Sequence, residues 1–285
     1  MIKVGGHVFL DKAVGNDPEA YARCAKEMGY SAVYAPPWLT IDKPDEIRMA
    51  RKAFEREHLI VAEAGYWENP MDTREEVRRE VRREMVRVYQ MAEELGAGCV
   101  VNTAGSYCEG LGYCNHNPKN FSEEHFEAAV EMARYFIDEV RPKTTFFTYE
   151  VFMYNSIDSP ESYERILRAV DRDKFGAHID LTNMMRSPRE VYMADVLTKK
   201  CISMFGDRIV STHIKDARLV RPAITTKIEE ALPGTGEADL AAFIVGLGRL
   251  SNTVTMMTEH LNGRDEYQRA FDYIKKTAVD NGLTV

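Results

Sequence analysis

Four short stretches of this chain carry groups that can hold a divalent cation: "TYEVF" offers Glu150, "HIDLTN" Asp180, "THIKD" His213 and "MTEHL" Glu259. Each stands at the end of an apolar run, where burying a charge without a counter-charge costs several kcal/mol or shifts its pKa. Three carboxylates and one imidazole suit a borderline-hard ion such as Mn²⁺, Co²⁺, Mg²⁺ or Zn²⁺, and such an ion offsets the repulsion among the acids. Taken alone, each residue is more often a salt-bridged loop group or a satisfied core histidine. Their succession on consecutive candidate strands makes the metal reading the stronger one.

The elements that must converge these groups are legible as eight apolar runs: residues 2–8, 31–37, 59–66, 98–104, 144–152, 175–181, 209–215 and 253–259. Amphipathic helical patterns follow them, with Asp17, Ser159 and Ser187 placed as N-caps directly before proline and Gly29, Gly96 and Gly282 as stops. Eight strand–helix units with no linker or composition break predict one closed (β/α)₈ TIM barrel over residues 1–285, with an open doubly wound sheet as the alternative. In a barrel, functional groups gather at the C-terminal ends of the strands, which is where the four donors fall.

Composition excludes several function classes. The formal net charge of −8 and pI near 5.5 give no electrostatic footprint for nucleic acid or an anionic membrane. The arginine-rich helix after the third strand carries an apolar stripe of Val77, Val81, Met85, Val88, Ala92 and Leu95, so its charges belong to a solvated outer face. The N-terminal apolar run is too short for a signal or a span, and a cytoplasmic protein is expected. Cys24, Cys99, Cys108, Cys114 and Cys201 lack paired CxxC spacing, and reduced thiols rather than a disulfide framework or thiolate zinc site are expected.

With these residues in view, the chain resembles the xylose isomerase-like barrels, specifically the single-metal sugar isomerase/epimerase branch that includes ketose 3-epimerases and inosose dehydratases. The resemblance runs through nearly the whole chain and rests on "YE" at 149–150, "HID" at 178–180, "THIKD" at 212–216 and "TEH" at 258–260. It implies one divalent ion, Mn²⁺ first, bound by Glu150, Asp180, His213 and Glu259, with Glu150 and Glu259 also exchanging protons with the substrate. Many members carry a substrate-binding histidine three positions after the metal aspartate; here that position is Asn183, which can hydrogen-bond a hydroxyl but cannot shuttle a proton at neutral pH.

The implied function is a metal-dependent isomerase or epimerase acting on a ketose or related polyhydroxy carbonyl compound through an enediolate. An ion chelating a carbonyl oxygen and neighbouring hydroxyl stabilises that species while one carboxylate takes a proton and the other returns it. Loss of a hydroxyl from the same species would make a lyase of the inosose dehydratase kind, the alternative. A non-catalytic sugar-binding protein is a further alternative, whereas a three-zinc nuclease needs more histidines than these seven scattered ones.

Further substrate contacts are expected from Lys215, which shares the parity of His213, from Arg218, from His7 at the end of strand one, and from His116 in the long connection 105–122. Trp38, Tyr66 and Trp67 are candidates for stacking on a sugar face. "LPGTGEADL" at 232–240 has the glycines of a phosphate loop, but Glu237 and Asp239 at the helix start repel an anion, so an unphosphorylated substrate is expected. A homo-oligomer is left open.

Overall fold

The structure is a computed structural model that describes residues 2–111 and 116–285; Cys114 lies outside the described residues. Seven strands, β1 (Lys3–Gly5), β2 (Ala32–Tyr34), β3 (Ile60–Gly65), β4 (Cys99–Asn102), β5 (Phe146–Glu150), β6 (Phe175–Asp180) and β7 (Ile209–Ile214), come first. An antiparallel hairpin, β8 (Asp216–Leu219) and β9 (Ile228–Ala231), follows, and β10 (Thr255–Thr258) is last. All but the hairpin join one parallel sheet in the order β1-β10-β7-β6-β5-β4-β3-β2.

The sheet curls until β1 and β2 meet. No ladder joins them, but the Ser31 N–H donates to the Val4 carbonyl at 3.0 Å and the Val4 N–H to Ser31 Oγ at 3.0 Å. Gly5 makes the approach possible: a Cβ there would lie 2.0 Å from the Ala32 carbonyl oxygen. The result is a nearly closed eight-stranded barrel of the expected class.

Helices α1 (Pro18–Glu27), α2 (Pro44–Arg56), α3 (Glu75–Leu95), α4 (Glu123–Val140), α5 (Pro160–Val170), α6 (Pro188–Tyr192), α7 (Ala194–Phe205), α8 (Leu240–Gly248) and α9 (Gly263–Asp280) form the outer layer. Asp17, Ser159 and Ser187 each accept a backbone N–H at a helix start with proline next, and Gly96 closes α3 in the left-handed region at φ 81°. Of the α3 stripe, Val81, Met85, Ala92 and Leu95 are buried. Each of the three larger side chains contributes roughly 1.5–3 kcal/mol to docking the helix. Among the described residues no helix is long and apolar enough to cross a membrane.

Two irregularities decide what points into the barrel. Val33 and Tyr34 pair with Val61 and Glu63, so Ala62 is an extra residue in β3; likewise Ala177 and His178 pair with Ile209 and Ser211, leaving Val210 extra in β7. Such bulges re-aim side chains and are common beside functional sites. The first turns Glu63 toward the barrel axis. Strand one is shorter than expected, spanning Lys3–Gly5, and the hairpin after β7 is an element the alternating strand–helix pattern did not predict.

Candidate metal centre

The ends of β5, β6 and β7 and the residue after β10 bring Glu150, Asp180, His213 and Glu259 together. Each offers one donor atom, and these atoms all lie within 4.8 Å of one another. His213 Nδ1 is 2.9 Å from Glu150 Oε1 and 3.0 Å from Glu259 Oε1. Asp180 completes the group through Lys215, whose Nζ lies 2.8 Å from Asp180 Oδ2 and 2.7 Å from Glu259 Oε1. Glu150, Asp180, His213 and Lys215 are buried, and Glu259 keeps a small opening to a cavity of about 300 Å³.

Physical chemistry supports a cation here. Asp180 Oδ2, without solvent, has an ion pair with Lys215 but no well-aligned hydrogen bond, and the buried carboxylates of Glu63, Glu150 and Asp180, with the nearly buried one of Glu259, gather around the His213 and His178 imidazoles and one ammonium. Burial pushes the Glu150 carboxyl up to about 7, a rise that His213 only partly offsets. Burial acts the same way on Glu259, yet His213 and Lys215 outweigh it and hold that acid well below the usual carboxylate range. Burial opposes protonation of His213, but Glu259, Glu63 and Glu150 prevail and raise it well above the usual histidine range. Two neighbouring acids with proton affinities driven apart are the arrangement an acid/base pair requires. The donor set fits a divalent ion of the borderline-hard kind.

The other expected contacts are distributed unevenly. His7 and Asn183 line the cavity with Lys215. Asn183 Nδ2 donates to Glu150 Oε1 and to the Val151 carbonyl, both at 3.3 Å, and its backbone N–H donates to Asp180 Oδ1 at 3.1 Å, so its amide nitrogen is already committed to holding the acids. Arg218 stands on the hairpin, exposed and 3.5 Å from Glu229, on the adjoining outer pocket rather than the central cavity. His116 is exposed and stacks on Tyr154 at 3.6 Å between ring centroids; neither ring lines the cavity. Trp67 forms a cavity wall, while Trp38 packs edge-on against Tyr21 in the helix layer.

Several residues escaped the sequence reading. Glu63 is 1% exposed, with Oε1 2.9 Å from His213 Nε2 and Oε2 accepting from Ser211 Oγ at 2.8 Å. A lone glutamate in the apolar run "LIVAEAGY" was the available signal. Glu230, on β9, bonds Lys215 at 3.1 Å and His260 at 2.9 Å, bringing the hairpin to the cavity mouth.

The glycine-rich segment has an occupant of its own. Asp216 accepts the N–H groups of Gly234 at 3.0 Å, Gly236 at 2.9 Å and Ala217 at 2.8 Å, and a Cβ on Gly236 would lie 2.2 Å from Asp216 Oδ1. These donors cradle a carboxylate of the chain itself, leaving none of the three to a phosphate.

No curated protein matches the chain in sequence. Solved structures similar to it include a xylose isomerase-like TIM barrel protein from Mycobacterium smegmatis in complex with magnesium (TM-score 0.67, 16% identity, 91% of this chain and 88% of that one). A 3-keto-D-glucoside 4-epimerase from E. coli matches with TM-score 0.67 and 15% identity over 97% of this chain and 100% of that one. A D-psicose 3-epimerase from Clostridium cellulolyticum H10, solved with D-tagatose, matches with TM-score 0.65 and 13% identity over 92% and 93%. At these identities the likeness is one of fold. The family model described as xylose isomerase-like TIM barrel matches residues 22–277, and the chain belongs to that family.

Proposed function

We propose that this protein is a divalent-metal-dependent sugar isomerase or epimerase acting on a neutral ketose or related polyhydroxy carbonyl compound. The observation that carries the reading is the convergence of Glu150, Asp180, His213 and Glu259, of which Glu150 and Glu259 line one cavity. These four would hold the ion, which when bound supplies Lewis acidity toward a carbonyl oxygen and its neighbouring hydroxyl. Fold neighbours that handle a keto-glucoside and a ketose support the substrate class.

The chain's own residues then divide the work. Glu259, held ionised by His213 and Lys215, is suited to take the proton from the carbon next to the carbonyl; Glu150, pushed up to about 7 chiefly by burial, is suited to deliver one. The two stand on strands separated by β6 and β7, so a proton removed by one and returned by the other arrives from a different direction, as epimerisation requires. Asn183 steadies Glu150 and keeps its amide oxygen for a substrate hydroxyl, and Trp67 and Phe152 wall the cavity with surfaces suited to the apolar face of a sugar ring. The occupied cradle around Asp216 favours a substrate without phosphate.

The test is metal-loaded protein with a panel of ketoses, inososes and keto-glycosides in D₂O, read by NMR and mass spectrometry. Deuterium at the carbon beside the carbonyl with no loss of water is expected. Loss of water makes the protein a lyase. No exchange with any member, despite bound metal, contradicts an enzymatic role.

A further inference from the structure

We infer that Glu63 is a positioning residue that fixes which nitrogen of His213 faces the metal centre, an inference that rests on the metal reading above. His213 lies between two sets of acids. Its Nδ1 faces Glu150 and Glu259 at 2.9 and 3.0 Å, and its Nε2 faces Glu63 Oε1 at 2.9 Å on the side away from the four-donor cluster. An ionised carboxylate only accepts hydrogen bonds, and a neutral imidazole carries a single N–H. In the metal-free protein both ring nitrogens face acids; with an ion held by the four-residue cluster, the one N–H left on the ring would be the Nε2–H donated to Glu63, and the Nδ1 lone pair would face Glu150, Glu259 and the cavity. A carboxylate behind a ligating histidine sets ring orientation and strengthens the ligand.

The surroundings of Glu63 point the same way. Barrel interiors are normally filled by layers of branched apolar side chains. Here Glu63, Ser211 and His178 form a polar layer, with Ser211 two residues before His213 on β7 and His178 two residues before Asp180 on β6. Ser211 Oγ donates to Glu63 Oε2 at 2.8 Å, and His178 Nδ1 lies 3.5 Å from that oxygen. One carboxylate oxygen is thus held so that the other aims at His213. An apolar residue of similar volume in place of a buried charge is often neutral or stabilising. What Glu63 supplies instead is the orientation of one imidazole, and the extra residue Ala62 in β3 is what turns it inward.

Glu63→Gln keeps the shape and removes the charge. The variant and the wild type are titrated with Zn²⁺ by calorimetry, and the tautomer of His213 is read in the Zn²⁺-loaded proteins from long-range ¹H–¹⁵N NMR correlations. Wild type is expected to show the Nε2–H form. The variant is expected to fold, to bind Zn²⁺ roughly ten- to a hundredfold more weakly, and to lose that single tautomer. A purely structural role moves neither the tautomer nor the affinity of the folded variant. Should Glu63→Gln fail to fold, Glu63→Asp and Ser211→Ala carry the test, each expected to weaken Zn²⁺ binding in the same direction. An unchanged tautomer with affinity within about threefold of wild type overturns this inference alone. A wild type that binds no Zn²⁺ overturns it together with the metal reading.

Discussion

Lys215→Met isolates the largest electrostatic debt in the site. The ammonium is 4% exposed and lies 2.8 Å from Asp180, 2.7 Å from Glu259 and 3.1 Å from Glu230. Burial disfavours its charge, but Asp180, Glu259 and Glu150 outweigh that and raise it well above the ordinary lysine range. A group whose pKa is raised on folding contributes stability that is fully present below its unfolded value, about 10.4 for lysine, and lost only as pH rises through the folded value. At neutral pH the whole contribution is therefore in place. Methionine preserves most of the volume, so the loss is chiefly one of charge. Glu230 is 42% exposed and its share is screened, which leaves Asp180 and Glu259 as the partners that count.

Removing one member of a buried ion cluster costs about 3–5 kcal/mol. At about 2–4 °C per kcal/mol in proteins near this size, the metal-free variant should melt about 6–20 °C below wild type. A bound divalent ion replaces the missing positive charge, so the gap should narrow when both proteins are saturated with Mn²⁺. Thermal unfolding by calorimetry at neutral pH, with and without Mn²⁺, measures both quantities. A metal-free variant within about 2 °C of wild type, about 1 kcal/mol at most on that scale, would refute the reasoning, as would a gap that Mn²⁺ leaves unchanged.

Other outcomes follow from the same geometry. Glu150→Gln and Glu259→Gln should each abolish deuterium exchange into substrate in protein whose metal content, read by elemental analysis, is retained, because an amide is an oxygen ligand but no base. Asn183→Ala removes the bonds to Glu150 and Val151 and the proposed contact to a substrate hydroxyl; at about 1–3 kcal/mol for such a loss, kcat/KM should fall roughly ten- to a hundredfold while metal affinity changes less. Metal affinity should rise with pH through neutrality, since the ion competes with the proton on His213, held well above its usual range, and with that on Glu150 near 7. Calorimetry in buffers of different ionisation enthalpy should then report about one proton or more released per ion, and pH-independent binding would contradict the ligand set.

The barrel and the gathering of four ligand-type side chains at the ends of its strands were legible because both rest on local signals. Apolar runs of strand length alternate with capped helices, and Glu150, Asp180, His213 and Glu259 each break such a run at its end. Glu63 was hidden because its direction depends on the register between β2 and β3, where the extra residue Ala62 changes the parity that simple alternation assumes. The hairpin of β8 and β9 was missed because Lys215 and Asp216 prolong the strand-like pattern of β7 without a turn signal, and its partner strand "IEEA" is short and charged. The role of "LPGTGE" was visible only in part. Its glycines do gather N–H groups around an anion, but that anion is Asp216, sixteen residues before Leu232 and brought back by the hairpin. His116 drew notice as a histidine in a long loop, and loop residues carry no register to say where they point; it stacks on Tyr154 instead.

The most direct test of the central claim is anomalous diffraction from a crystal grown or soaked with Mn²⁺. One anomalous peak enclosed by Glu150, Asp180, His213 and Glu259 is expected. No peak there, or a peak confined to the neighbouring group of Glu63, Cys99 and His178, would contradict it.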